Sequence, residues 1–322
     1  MSKVKLIIIA AVVAMVFAGC IMMGIAYTTA GSFRAMNTDN FVQDTIAIDG
    51  YFDSVSIRVT TTDLRIEPSR DGRCSIESNL HPNTKLQTDI IGGELVICEA
   101  DERRWYEHIS VFSFEESGAV LYLPQMEYDS LYLRGSTSDA VINGGLTFAQ
   151  ADIEVSTGDV ECRANIQKSL SVQASTGDLT LSGLSGTDTL RAKTTTGDIE
   201  ISESFDCGTV EASVSTGGME LDRVTAQTVV LSGRTSDIEI INVVSAGLLE
   251  ITATTGDIEF DRCDGGEVVL KTSTGDIEGS LLSGKMFDAH ASGDRVRVPV
   301  SDKNGGLCKA KTSGGSIDIT VK

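Results

Sequence analysis

Seven aspartates recur from the middle of the chain onward at nearly constant spacing: Asp139, Asp159, Asp178, Asp198, Asp237, Asp257 and Asp276. Carboxylates set out in this way suit two chemistries. Stacked on neighbouring strands they repel, and a hard cation such as Ca²⁺ would relieve the repulsion. Paired across a cleft, two of them would be enough to hydrolyse a glycosidic bond. The spacing favours neither. Ca²⁺-binding β-rolls use a nonapeptide with a different Gly/Asp pattern, and this series is broken at Gly218, Arg295 and Ser316. Polysaccharide-cleaving sites are single irregularities in a regular coil, whereas these acids belong to the repeat itself. Capping of turns is the simpler role, and no metal site is expected.

The other chemistry-bearing residues form no catalytic set. The three histidines, His81, His108 and His290, stand far from one another and from other candidates in sequence. The chain carries no nucleophile elbow, P-loop or zincin motif. These features predict a protein that is not an enzyme and needs no cofactor. Beyond Cys20 the cysteines are Cys74, Cys98, Cys162, Cys207, Cys263 and Cys308, without a CxxC pair, so a zinc knuckle is not expected. Cys162 and Cys308 stand where other repeats carry apolar residues and read as small buried hydrophobes. The most irregular stretch, residues 99–114, holds the single tryptophan. Arg104, Trp105 and Tyr106 are residue types that partner hot spots favour. A competing and preferred role has Trp105 and Phe112 plugging the end of a stack of strands.

Such residues must be held by something, and the repeat indicates what. Copies of Ser/Thr-Thr-Gly-Asp centre on Gly158, Gly177, Gly197, Gly256 and Gly275, with Ser215-Thr216-Gly217-Gly218 and degenerate copies at Ser138 and Ser236. Successive glycine-equivalent positions lie 19 or 20 residues apart. The pairs Gly158–Asp159, Gly177–Asp178, Gly197–Asp198, Gly256–Asp257 and Gly275–Asp276 are therefore read as structural turns. Seven, five and three residues before the glycine come apolar side chains such as Leu170, Val172 and Ala174. Two and four after it come Leu179 and Leu181, or Ile199 and Ile201. Period two on both sides of a polar turn means strand, tight corner, strand. The frame extends to Phe287–Val298 around Asp294, to Cys308–Ile319 around Gly315, and back to Val55–Ile66 around Thr62. The fold class is thus all-β, a parallel β-solenoid with rungs of about 19–20 residues. About ten rungs at strand spacing would make a rod roughly 45–50 Å long.

Composition agrees. Aromatics are 5% of the 322 residues, glycine is plentiful at 32, and the apolar residues fall in short alternating runs. A net charge of −20 disfavours nucleic acid as a ligand and keeps a long β structure soluble. At the N-terminus Lys3 and Lys5 precede 22 uncharged residues, Leu6 to Tyr27, long enough for one transmembrane helix. The basic flank predicts a cytoplasmic N-terminus and an extracytoplasmic body. A lipoprotein cleavage box at Val16–Cys20 and a cleaved signal peptide remain as alternatives. The expected organisation is an anchor at 1–27, a linker at 28–44, an N-terminal β region and cap at 45–130, and solenoid repeats at 131–322.

The STGD repeat, the apolar N-terminus and the segment Val120-Leu-Tyr-Leu-Pro-Gln-Met-Glu-Tyr-Asp-Ser-Leu-Tyr-Leu133 together make residues 45–322 resemble the bacterial DUF4097 family of β-strand-repeat proteins. Its members carry the name adhesin, a label given by architecture. The resemblance implies a right-handed solenoid, and in some relatives a link to envelope stress. It supplies no catalytic residues. The functional expectation is a membrane-anchored, non-catalytic interaction or scaffold module at the cell membrane. Alternatives are an envelope-stress sensor and, further off, a carbohydrate-active enzyme. Candidate partners are the membrane, an envelope protein, a polysaccharide or a cationic peptide. The sequence leaves the oligomeric state open.

Overall fold

A computed structural model of the chain describes residues 41–101, 117–292 and 295–322. The N-terminal apolar segment, the cluster Arg104–Trp105–Tyr106, Phe112 and Asp294 lie outside the described residues. Among the described residues every regular element is a strand, and no helix is long and apolar enough to cross a membrane. The strands form a β-solenoid whose interior is filled by the period-two rows. Leu170, Val172, Ala174, Leu179 and Leu181 are buried, as are their equivalents from rung to rung. Neighbouring rungs run parallel and in register, for example Leu170 beside Leu190 and Leu179 beside Ile199. Stacking in register places like side chains over like, so each apolar row becomes a continuous column of core.

Spatial order departs from chain order at both ends. Followed through its pairings, the column of strands preceding the corner is Glu94–Asp101, Ser54–Val59, Glu127–Thr137, Thr147–Thr157, Asn165–Thr176, Thr189–Thr196, Ile199–Thr216, Met219–Thr235, Ile238–Thr255, Ile258–Thr274, Leu307–Gly314 and Met286–Ala291. That is a rod of about 50 Å at ordinary strand spacing. The rung beginning at Ser54 is slotted between Glu94–Asp101 and Glu127–Thr137. The rung of Leu307–Gly314 and Ile317–Val321 is slotted inside that of Met286–Ala291 and Val296–Arg297. The Phe287–Val298 frame is therefore the outermost rung rather than an interior one, and the expectation of a sequential array is corrected there. Its apolar residues are accordingly only partly covered, and Val296 is 40% exposed.

At the crossover, Lys285 is buried. Its Nζ donates to the Gly265 carbonyl at 2.7 Å and pairs with Asp264 at 2.5 Å. The opposite end of the rod closes differently. Strand Val42–Ile48 runs antiparallel to Cys74–Leu80, which runs antiparallel to Gly118–Leu123, while Thr84–Ile91 lies antiparallel on Glu94–Asp101.

The corners explain the glycines. Gly177 has φ +142°, and a Cβ there would lie 1.9 Å from the Gly158 carbonyl of the rung below. At Gly197 the corresponding distance is 2.1 Å. A side chain cannot occupy that space, so glycine is required by contact as well as by φ. The degenerate corners solve the problem another way. Ser138 and Ser236 turn their side chains inward and are buried, and the residue three before each is Gly135 or Gly233. A Cβ on Gly135 would meet Ser138 Oγ at 2.4 Å, and one on Gly233 would meet Ser236 Cβ at 2.6 Å. The glycine has moved three positions to make room for the serine.

Candidate functional site

The repeated aspartates line one edge of the rod, and their carboxylates are engaged. Asp159 Oδ1 accepts the amide N–H of Asp178 at 2.8 Å, Asp178 Oδ1 that of Asp198 at 2.7 Å, and Asp198 Oδ1 that of Gly218 at 2.6 Å. Beyond Gly218 the ladder resumes from Asp237 to Asp257 at 2.9 Å and from Asp257 to Asp276 at 2.7 Å. The bond survives the jumps in rung order, from Asp63 to Asp139 at 2.8 Å and from Asp276 to Ser316 at 2.7 Å. The turn-capping expected from the sequence does not stay within one turn. Each aspartate caps the corner of the next rung, because the corner turns that amide out of the regular strand ladder toward the carboxylate below. Among the described residues no group of three or more His, Cys, Asp or Glu is placed to hold a metal ion.

A second acidic row lies beside the first. Glu200, Glu220, Glu239, Glu259 and Glu278 point outward from five adjacent rungs in strict register, and Asp318 follows them. All five glutamates are exposed. Elsewhere on the surface charges alternate between rungs: Arg191 meets Glu211 at 2.7 Å, Arg223 meets Glu203 at 3.1 Å and Lys309 meets Glu267 at 3.0 Å. Among the described residues the five glutamates have no basic partner. Like charges at strand spacing repel by roughly 0.8 kcal/mol per neighbouring pair even in water. Between the two rows runs a groove of about 460 Å³, which includes the gap left by Gly218. The signal was present in the sequence as a glutamate two residues after each corner Asp or its equivalent, from Ile199-Glu200 to Ile277-Glu278. It was overshadowed by the more conspicuous aspartates.

The remaining sequence candidates are not brought together with this face. Arg104, Trp105 and Tyr106 fall outside the described residues. His290 pairs with Asp288 at 2.9 Å on the outermost rung, while His81 lies in the antiparallel end. All six described cysteines are free, and only Cys98 is not fully buried. Burial pushes the Cys162 and Cys263 thiols up to about 11 and those of Cys74 and Cys308 up to about 12. They stay protonated and pack as apolar groups.

A family model described as Toastrack DUF4097 matches residues 52–205 and again 203–322. No curated protein matches the chain. Among solved structures the chain is similar to a "putative adhesin" from Parabacteroides distasonis ATCC 8503, at 10% identity and TM-score 0.47, over 88% of this chain and 98% of that one. It is also similar to a "putative lipid binding protein" from the same organism, at 17% identity and TM-score 0.48 with the same coverage. A "putative adhesin" from Bacteroides fragilis NCTC 9343 aligns at 13% identity and TM-score 0.37, again over 88% and 98%.

Because the aspartate oxygens serve backbone amides, Ca²⁺ should not shift thermal unfolding of the chain relative to chelator. Replacing Asp178 with alanine should lower stability by about 1–2 kcal/mol in both conditions, read as the shift of the unfolding midpoint. A large Ca²⁺-dependent rise that Asp178→Ala removes would make the row a metal site.

Proposed function

Because the chain belongs to the DUF4097 (Toastrack) family, we propose that it is a non-catalytic interaction and scaffold module, an adhesin-like rod displayed outside the cytoplasm. In this reading residues 1–27 form a single-pass membrane anchor and 28–44 a linker. Residues 45–130 cap the rod, and 131–322 coil in the right-handed sense that the family implies. The carrying observation is that, among the described residues, the repeated aspartates cap amides of the stacked corners and five thiols are buried. What remains for function is a long, rigid, acidic surface. Catalysis needs convergent groups, and here the acids run in rows.

The glutamate row favours a second reading within the same architecture, an envelope-stress sensor that takes up cationic peptides. A row of uncompensated carboxylates steers and concentrates cations at low salt. Its cost in repulsion is recovered when a polycation binds.

Two experiments test these readings. In intact cells an added protease should digest the rod, and alkaline washing should leave the chain in the membrane; Cys20→Ala should change neither. A chain released by alkali or sheltered from protease would contradict the anchored display. For the sensor, a Lys-rich synthetic peptide should bind the chain with strong salt dependence. Glu220→Gln, Glu239→Gln and Glu259→Gln together should weaken that binding at least tenfold. Salt-independent or unaltered binding would remove the second reading.

A further inference from the structure

The structure holds another built surface, on the strands that precede the corner and near the antiparallel end. A groove of about 650 Å³ crosses the rungs from Glu94–Asp101 to Asn165–Thr176. This is within the size range of small-ligand sites, roughly 300–1,000 Å³. The rung slotted in at Ser54 makes it. Register places Ser56 directly beside Tyr132, and Tyr132 beside Asp152, which is beside Ser171. A parallel row sets Ser130 beside Gln150 and Gln150 beside Ser169. The floor is thus short hydroxyl and amide side chains, with one aromatic ring standing over it.

One feature marks it as more than a polar surface. The Arg134 guanidinium lies 4.0 Å over the Tyr132 ring and is itself tied to Asp152 and Glu154, each at 3.0 Å. The ring is therefore fixed in place before any ligand arrives. Ser56, 4% exposed, lines the groove directly beside that ring.

We propose that this groove binds a neutral carbohydrate chain, with a sugar ring stacked on Tyr132 and its hydroxyls bonded to the serine and glutamine rows. The proposal rests on the interaction-module reading and names a ligand class for it. Charge selects against the alternatives. Arg134 is outnumbered by the two acids it pairs with, Asp152 and Glu154, and Arg58, 5.9 Å from the Tyr132 ring centroid, shares the groove with Glu94. The site therefore offers neither the excess of base an anion needs nor the acid density of the glutamate row. An extended peptide would need a free strand edge, and the strands under the groove are paired on both sides. The rung spacing of about 4.8 Å also approaches the length of one sugar ring, so a chain lying along the rod would meet a fresh pair of polar groups at each rung.

The test uses the full chain in a detergent without a sugar headgroup, titrated with cellotetraose and with the tetramer of N-acetylglucosamine, and followed by saturation-transfer NMR. Binding of at least one is expected. Tyr132→Ala should weaken it at least tenfold and Tyr132→Phe by much less, since stacking survives in the latter. Ser56→Ala, which removes the hydroxyl without adding bulk, should weaken it several-fold, and Glu250→Ala on a distant rung should not. Absence of binding to both sugars, or binding indifferent to Tyr132→Ala and Ser56→Ala in folded protein, overturns the proposal. Either result leaves the module reading to stand or fall on the protease and alkaline-wash experiment.

Discussion

The whole rod depends on how closely one corner can sit on the next. Strands in a sheet lie about 4.8 Å apart, and a coil can hold that spacing only if its corners stack as tightly as its strands. The backbone meets this limit where the Gly177 Cβ position falls 1.9 Å from the carbonyl of Gly158. The corner amides then follow: Gly158 N–H donates to the Thr176 carbonyl at 3.0 Å and Val160 N–H to the Asp178 carbonyl at 2.9 Å. One amide between them, that of the aspartate, is turned out of this ladder and is taken by the carboxylate of the rung below. Glycine and aspartate are thus two halves of one solution, the first allowing the approach and the second satisfying the donor that the approach displaces.

This accounts for why the acidic character of the chain divides into two kinds. The aspartates are structural, each with an oxygen committed to a backbone N–H. The glutamates of the adjacent row carry no such duty, and their register makes them repel. Stability alone would favour the alternating charges found on other faces, where Arg134, Arg191 and Arg223 meet acids on adjoining rungs. A row that works against stability while remaining exposed is a reasonable place for a partner of opposite charge. The groove at Tyr132 differs in each respect: it is close to neutral, floored by hydroxyls and organised around one fixed ring.

Much of the fold was legible in the sequence, because a period of two flanking a polar corner has few solutions when it repeats every 19 or 20 residues. The inward rows from Leu170 to Phe260 are buried as that period requires. What could not be read was the order of rungs in space. The rungs at Ser54 and Leu307 look like any other in sequence, and nothing local distinguishes a rung that stacks on its chain neighbour from one that skips past it. The skip at Met286 left Phe287, Ala289 and Ala291 half-covered at an end. The skip at Ser54 created the contact of Ser56 with Tyr132, residues 76 apart in sequence, and with it a groove that no motif could have announced. Likewise the aspartate's partner lies a full rung away, so its role appeared local when only the turn was considered.

The most direct test of this account is amide hydrogen exchange at the corners, residue by residue. The amides of Asp159, Asp178, Asp198, Asp257 and Asp276 sit on an exposed edge but each faces a carboxylate on the preceding rung. They should exchange as slowly as the neighbouring strand amides. Asp237 supplies its own control, since the rung before it carries Gly218 and offers no carboxylate; its amide should exchange markedly faster. Uniformly fast exchange along the whole row, with Asp237 indistinguishable from the rest, would contradict the carboxylate ladder and the stacking that depends on it.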